Sequence, residues 1–182
     1  MNKYQSLTIY AILIIATGVV LMSLAYYPTR AIQYLVAFGM LLSAGFAFFT
    51  AFKSEKLPVS LNYHALHGFG MLIYGFYILF YGNTMEKFLS FTTFFLLYYG
   101  MAEIIFCFQL LTMKQRNISA QIIIYRLLIG FFIAMGAVYV VATKYSDSNK
   151  ALLAAGAVFV FSGVYSIVFK TVLKRGDMPP SV

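Results

Sequence analysis

Six long apolar stretches, separated by short polar joints, run along the whole 182-residue chain. The first, Thr8 to Tyr27, holds 20 residues without a charge, and a helix needs about 20 residues to cross the ~30 Å hydrocarbon core of a bilayer. The pattern predicts membrane helices over Thr8–Tyr27, Ala31–Phe52, Ala65–Tyr81, Phe88–Met113, Gln121–Thr143 and Ala151–Leu173. Inside lipid every backbone amide needs an internal partner, which leaves only a helix or a closed barrel. A barrel strand would alternate polar and apolar residues, whereas the run AILIIATGVVLMSLAYY does not. The four prolines fall outside the spans: Pro28 in the first turn, Pro58 in the second loop, Pro179 and Pro180 in the tail. The expected fold is therefore all-α and integral to a membrane, one domain over residues 1–182.

Composition strengthens this reading. Hydrophobic residues make up 62% of the chain and charged residues 10%, so a water-soluble fold could not cover the apolar surface. The short joints leave no room for a separate soluble domain. A net charge of +8 would point to nucleic acid in a soluble protein. Here the basic residues gather at helix ends, which points to topology and lipid headgroups, with the bilayer as partner and no nucleic acid. One face carries nine of them: Lys3, Lys53, Lys56, Lys114, Arg116, Arg126, Lys170, Lys174 and Arg175. The other carries four: Arg30, Lys87, Lys144 and Lys150. The excess predicts that both termini are cytoplasmic. Lys3 before an apolar run resembles a signal peptide, but no small-residue cleavage site follows, so the run reads as the first membrane helix. On the same count the Asn117-Ile118-Ser119 sequon is cytoplasmic and inert.

The spans form three similar helical hairpins, about residues 8–52, 65–113 and 121–173. Their first helices align on Gly18, Gly75 and Gly130, and their second on Gly45, Gly100 and Ser162. Gly39/Gly156, Phe52/Phe169 and Lys53/Lys170 share a register without a gap. Small residues let membrane helices approach closely, and Gly39 with Ser43 makes one such pair. The same faces permit a homo-oligomer and equally serve packing within one chain. An even number of helices per unit makes the repeat parallel, unlike the inverted repeats that support alternating access.

Three tandem hairpins in a chain of this length resemble the HdeD-like membrane proteins. The best-matching segment is ILIIATGVVLMSLAYYPTRAIQYLVAFGMLLSAGFAFF, with its mid-helix Gly18, Pro28 after an aromatic, and Gly39, Ser43 and Gly45 in the second helix. The segment YRLLIGFFIAMGA resembles the start of that family's third hairpin. The resemblance implies a non-enzymatic protein of the bacterial plasma membrane, serving in stress (acid) tolerance or membrane organisation. It transfers no catalytic residue.

Candidate functional residues come from the few polar groups inside the spans. Glu103 falls slightly to the cytoplasmic side of the bilayer centre, where a lone carboxylate costs about 2.5–3.5 kcal/mol on insertion scales. It should face the bundle and be protonated or paired. Arg126, near the start of the fifth helix, is the natural partner, unless it snorkels to the headgroups. In the repeat alignment Glu103 corresponds to Phe48 and Tyr165, and Arg126 to Ile14 and Met71, so both charges depart from the repeat. That departure suggests function, specifically a small channel or proton-coupled carrier using Glu103; a register-fixing ion pair is the competing account. His64 and His67 share a face at the opening of the third helix. They read as interfacial residues with wet tips, with a pH sensor as the alternative. No acid or cysteine close in sequence completes a metal shell, so no metal is expected. The interior tyrosines Tyr74, Tyr98 and Tyr165 either line a cavity with Glu103 or hydrogen-bond across helices. Cys107, the single cysteine, reads as packing. No catalytic or cofactor motif is present, so neither an enzyme nor a cofactor is expected.

Overall fold

The computed structural model describes residues 3–53, 58–112 and 120–176. They form six helices: α1 (Lys3–Ser23), α2 (Arg30–Lys53), α3 (Pro58–Tyr81), α4 (Met85–Thr112), α5 (Ala120–Thr143) and α6 (Ser148–Gly176). Five of the six are long and apolar enough to cross a membrane. The exception, α3, carries two histidines and four tyrosines. The sequon at Asn117, together with Lys56, Lys114, Arg116, Pro179 and Pro180, lies outside the described residues.

The turns explain several boundaries. The first apolar run continues to Tyr27, but α1 stops at Ser23, because the chain turns through Leu24–Tyr27 ahead of Pro28, which cannot continue a helix. Tyr26 and Tyr27 are exposed in that turn. Three side chains cap the helices that begin at this end. Thr29 Oγ1 accepts from the Ile32 amide (3.4 Å), Thr84 Oγ1 from the Lys87 amide (3.3 Å), and Asp147 Oδ1 from the Lys150 amide (3.0 Å). Each satisfies an amide that the first helical turn leaves without an internal partner. At Asp147 that amide, with the Lys150 ammonium 3.2 Å away, holds the carboxyl below its usual range. Pro58, expected in a loop, is instead the first residue of α3. Proline suits that position because the first helical amides lack an internal acceptor. The helix consequently begins seven residues before Ala65, the expected start.

Successive helices run antiparallel, and α6 returns to pack on α1, so the six close a ring; α4 also touches α6 across it. The most extensive contacts are α1 with α6, α2 with α3 and α4 with α5, rather than α1 with α2, α3 with α4 or α5 with α6. Small residues set these approaches. A Cβ added at Gly18 would lie 2.8 Å from the carbonyl oxygen of Gly156 in α6, and one at Gly100 would lie 2.9 Å from that of Gly130 in α5. Gly39 packs on the Thr17 side chain of α1. Gly45, by contrast, meets nothing within 4 Å. Inside the ring sit Ala11, Leu21, Val36, Met40, Phe88 and Ile133, all fully buried. Outside it, Leu35, Phe38, Phe76, Phe94, Phe131 and Met135 are exposed, the distribution expected when the surroundings are hydrocarbon. Polar residues inside turn back on their own helices: Ser43 donates to the Gly39 carbonyl (2.7 Å), Thr92 to Phe88 (2.8 Å) and Ser162 to Val158 (2.8 Å). Such bonds satisfy a hydroxyl without water.

The two glycine environments predict opposite signs. Gly18→Ala forces two backbones apart and should cost about 1–3 kcal/mol. Gly45→Ala adds a side chain in open space and should be neutral or stabilising by up to about 1 kcal/mol. Unfolding of the two variants in mixed micelles checks the pair; equal effects would contradict this packing.

Candidate functional site

The membrane-buried charges lie towards the end of the ring where α1, α3 and α5 begin. Their meeting is prepared by glycine. Gly100 precedes Glu103 by one turn on the same face of α4, and Gly130 follows Arg126 by one turn on the same face of α5. A Cβ at Gly130 would sit 3.1 Å from both the Gly100 carbonyl oxygen and the Glu103 Cβ. With no side chain at either glycine, α4 and α5 touch backbone to backbone, and the next turn along brings carboxylate and guanidinium together.

Arg126 Nη2 lies 3.3 Å from Glu103 Oε2, and each residue is only 1% exposed. The Tyr63 hydroxyl of α3 donates to the other carboxylate oxygen, Oε1. The guanidinium carbon stands 4.5 Å from the ring centres of both Tyr63 and Phe106, and 5.9 Å from that of Tyr165 on α6. Arg126 therefore pairs inward rather than snorkelling. Four helices converge on a net-neutral cluster in which the cation has a counter-charge and aromatic faces, and the anion has a cation and a hydroxyl donor. Cys107 is buried nearby, with Sγ 3.7 Å from the Ile123 carbonyl oxygen.

The histidines correct the expectation of interfacial residues with wet tips. His64 is 7% exposed and His67 is fully buried. The reason is the early start of α3: both lie well inside the helix, on its inward face. His67 stacks on Tyr99 (4.3 Å between ring centres) and meets the tilted ring of Tyr63 on its other side (4.2 Å). Neither of its ring nitrogens has a hydrogen-bond partner among the described residues, nor has Nδ1 of His64. Beyond them the Tyr10 and Tyr99 hydroxyls meet at 3.4 Å. Among the described residues no group of three or more His, Cys, Asp or Glu is arranged to hold a metal.

A cavity of about 10 Å³ adjoins the cluster, room for about one water. Arg126, His64, Tyr10, Tyr63, Tyr165 and Ser166 line it, with Leu7; Glu103 does not. A second cavity of similar size lies deeper, bounded by Tyr99, Ser162, Ile14 and Met71 among others. Two of the interior tyrosines hydrogen-bond across helices, and the third lines a cavity, though not one that Glu103 borders. The Tyr74 hydroxyl is 2.8 Å from that of Thr92, and Tyr98 donates to the Leu66 carbonyl (2.6 Å), while Tyr165 lines the cavity.

Sequence reasoning brought forward Glu103, Arg126, His64 and His67, and the fold gathers all four. It missed Tyr63, which falls just before the expected start of the third span. The signal was its spacing of four residues from His67, which puts both on one face. Comparison with protein-family models, with curated proteins and with solved structures gives no match.

Removing one partner of this pair leaves a buried charge uncompensated. Glu103→Gln should destabilise the protein by about 3–5 kcal/mol. Adding Arg126→Met to it should restore at least about 1 kcal/mol of that loss. A double-mutant cycle of unfolding in mixed micelles checks this; strictly additive losses would mean the two groups do not interact.

Proposed function

We propose that this chain is a non-enzymatic, multi-pass protein of the bacterial plasma membrane, resembling the HdeD-like proteins, that serves stress (acid) tolerance or membrane organisation. It crosses the bilayer six times as three tandem hairpins, with both termini in the cytoplasm. The burial of α3 supports six crossings over five. Its polar residues Tyr63, His64, His67 and Tyr74 lie at buried or half-buried positions, while Leu66, Phe69, Ile73, Phe76 and Phe80 form an exposed apolar face. At 24 residues it is as long as α2 and α5. It packs between α2 and α4, where a helix that failed to cross would break the ring.

One observation carries the non-transport reading. Glu103, the acid that a proton-coupled carrier would use, is held against Arg126 and Tyr63 and lines neither of the two cavities described above. A carboxylate in that state ties helices together; a carboxylate that exchanges protons with one side needs a wet approach. The second reading, a small channel or carrier, draws support from two water-sized cavities, one bounded by Tyr99 and the other by Tyr10, whose hydroxyls lie 3.4 Å apart.

Proteoliposomes loaded with a pH-sensitive dye separate the readings. Under an imposed potential, the wild-type protein should pass protons no faster than protein-free vesicles. A saturable flux that disappears in Glu103→Gln would make the carrier reading correct.

A further inference from the structure

The cavity beside Arg126 has an unusual balance of hydrogen-bonding groups. Arg126 can only donate. The Tyr10 and Tyr165 hydroxyls each carry a proton, the Tyr10 hydroxyl lying 3.4 Å from that of Tyr99, whereas Tyr63 gives its proton to Glu103 and Ser166 to the Ser162 carbonyl (2.9 Å). His64, nine-tenths buried, borders the cavity, and its buried Nδ1 has no hydrogen-bond partner among the described residues. Among the described residues the one carboxylate nearby, Glu103, is turned away onto Arg126 and Tyr63. A space with a guanidinium and two further hydroxyls on its rim, and Glu103 withdrawn from it, suits an anion. At about 10 Å³ it suits a single atom rather than an oxyanion.

Charge decides what must accompany that anion. Arg126 and Glu103 already cancel, so an anion alone would leave one unbalanced charge in a low-dielectric interior, at a cost of several kcal/mol. A proton on His64 restores neutrality beside the cavity that His64 lines, and it gives the otherwise unpartnered Nδ1 a charge-assisted N–H. We infer that this cavity binds one monatomic anion, of the halide class, together with a proton carried by His64.

The surrounding groups fit that assignment. Tyr10 faces the cavity from α1, and Tyr63 and His67 lie beside His64 on α3. Tyr99, Glu103 and Cys107 stand on α4, Arg126 on α5 and Tyr165 on α6. Of the two histidines only His64 borders the cavity. A proton on His67, held between the Tyr63 and Tyr99 rings, would find no anion beside it. Since one proton accompanies one anion, apparent affinity rises about tenfold for each unit the pH falls while His64 is mostly neutral. This inference is independent of the proposed function: His64→Gln tests it, and Glu103→Gln tests that.

Thermal unfolding of the full chain in detergent gives the test, with sodium chloride compared against sodium nitrate and sodium sulfate at matched ionic strength. Chloride should raise the midpoint near pH 5 and do so progressively less towards pH 8, while nitrate and sulfate should not. His64→Gln should abolish the chloride effect. Should that variant fail to fold, Tyr165→Phe, which removes one hydroxyl from the cavity, should weaken apparent chloride affinity several-fold. An equal response to all three salts, a response independent of pH, or full retention in either variant would overturn the assignment.

Discussion

A carboxylate and a guanidinium share the interior of a bundle whose outer surface is built of leucine, phenylalanine and methionine, and neither can be left alone there. Each charge by itself costs kilocalories in hydrocarbon. Together they form a neutral unit, provided the helices that carry them approach closely enough. The chain meets that condition with two glycines. Gly100 and Gly130 remove the side chains that would hold α4 and α5 apart, and Glu103 and Arg126 sit one turn away on the same faces. Tyr63 and Phe106 then close around the pair from α3 and α4. The geometry of this end of the ring depends on that convergence, including the inward aspect of α3 and the donor-rich cavity beside it.

The same logic explains the wider architecture. Hydrocarbon offers helices no hydrophobic reason to associate, so contact relies on close fit and internal hydrogen bonds. The fit is closest where small residues cross, as at Gly18 with Gly156. Hydroxyls either bond back to their own helix or reach across to a neighbour, as Ser6 does to Thr50 (2.7 Å) and Tyr74 to Thr92. The most extensive crossings join α2 to α3, α4 to α5 and α6 to α1, so no pair of helices stands apart from the ring.

Much of this was legible in the residues and some was not. Length and apolarity alone foretell helices, and the scarcity of charge singles out Glu103 and Arg126. What an unbroken apolar run cannot reveal is where a helix begins and which way its faces turn. The expected start at Ala65 put His64 and His67 at a wet boundary, whereas a start at Pro58 turns them inward beside Tyr63. The run to Tyr27 likewise hid the turn after Ser23. Glycines could be found by eye, but not their partners. Gly45, aligned with Gly100 as a repeat position, touches nothing, while Gly156 meets Gly18 across the whole length of the sequence. Which apolar face meets which is decided by three-dimensional fit, and hydropathy does not encode it.

The central claim is that Glu103 is ionised and held against Arg126 inside the bundle. Solid-state NMR of the protein in lipid bilayers, with the glutamate side-chain carboxyl and the arginine guanidinium isotopically labelled, measures both properties at once. At neutral pH the account predicts a carboxylate chemical shift for Glu103 and a direct dipolar coupling to the Arg126 guanidinium. A protonated carboxyl, or the absence of that coupling, would contradict it.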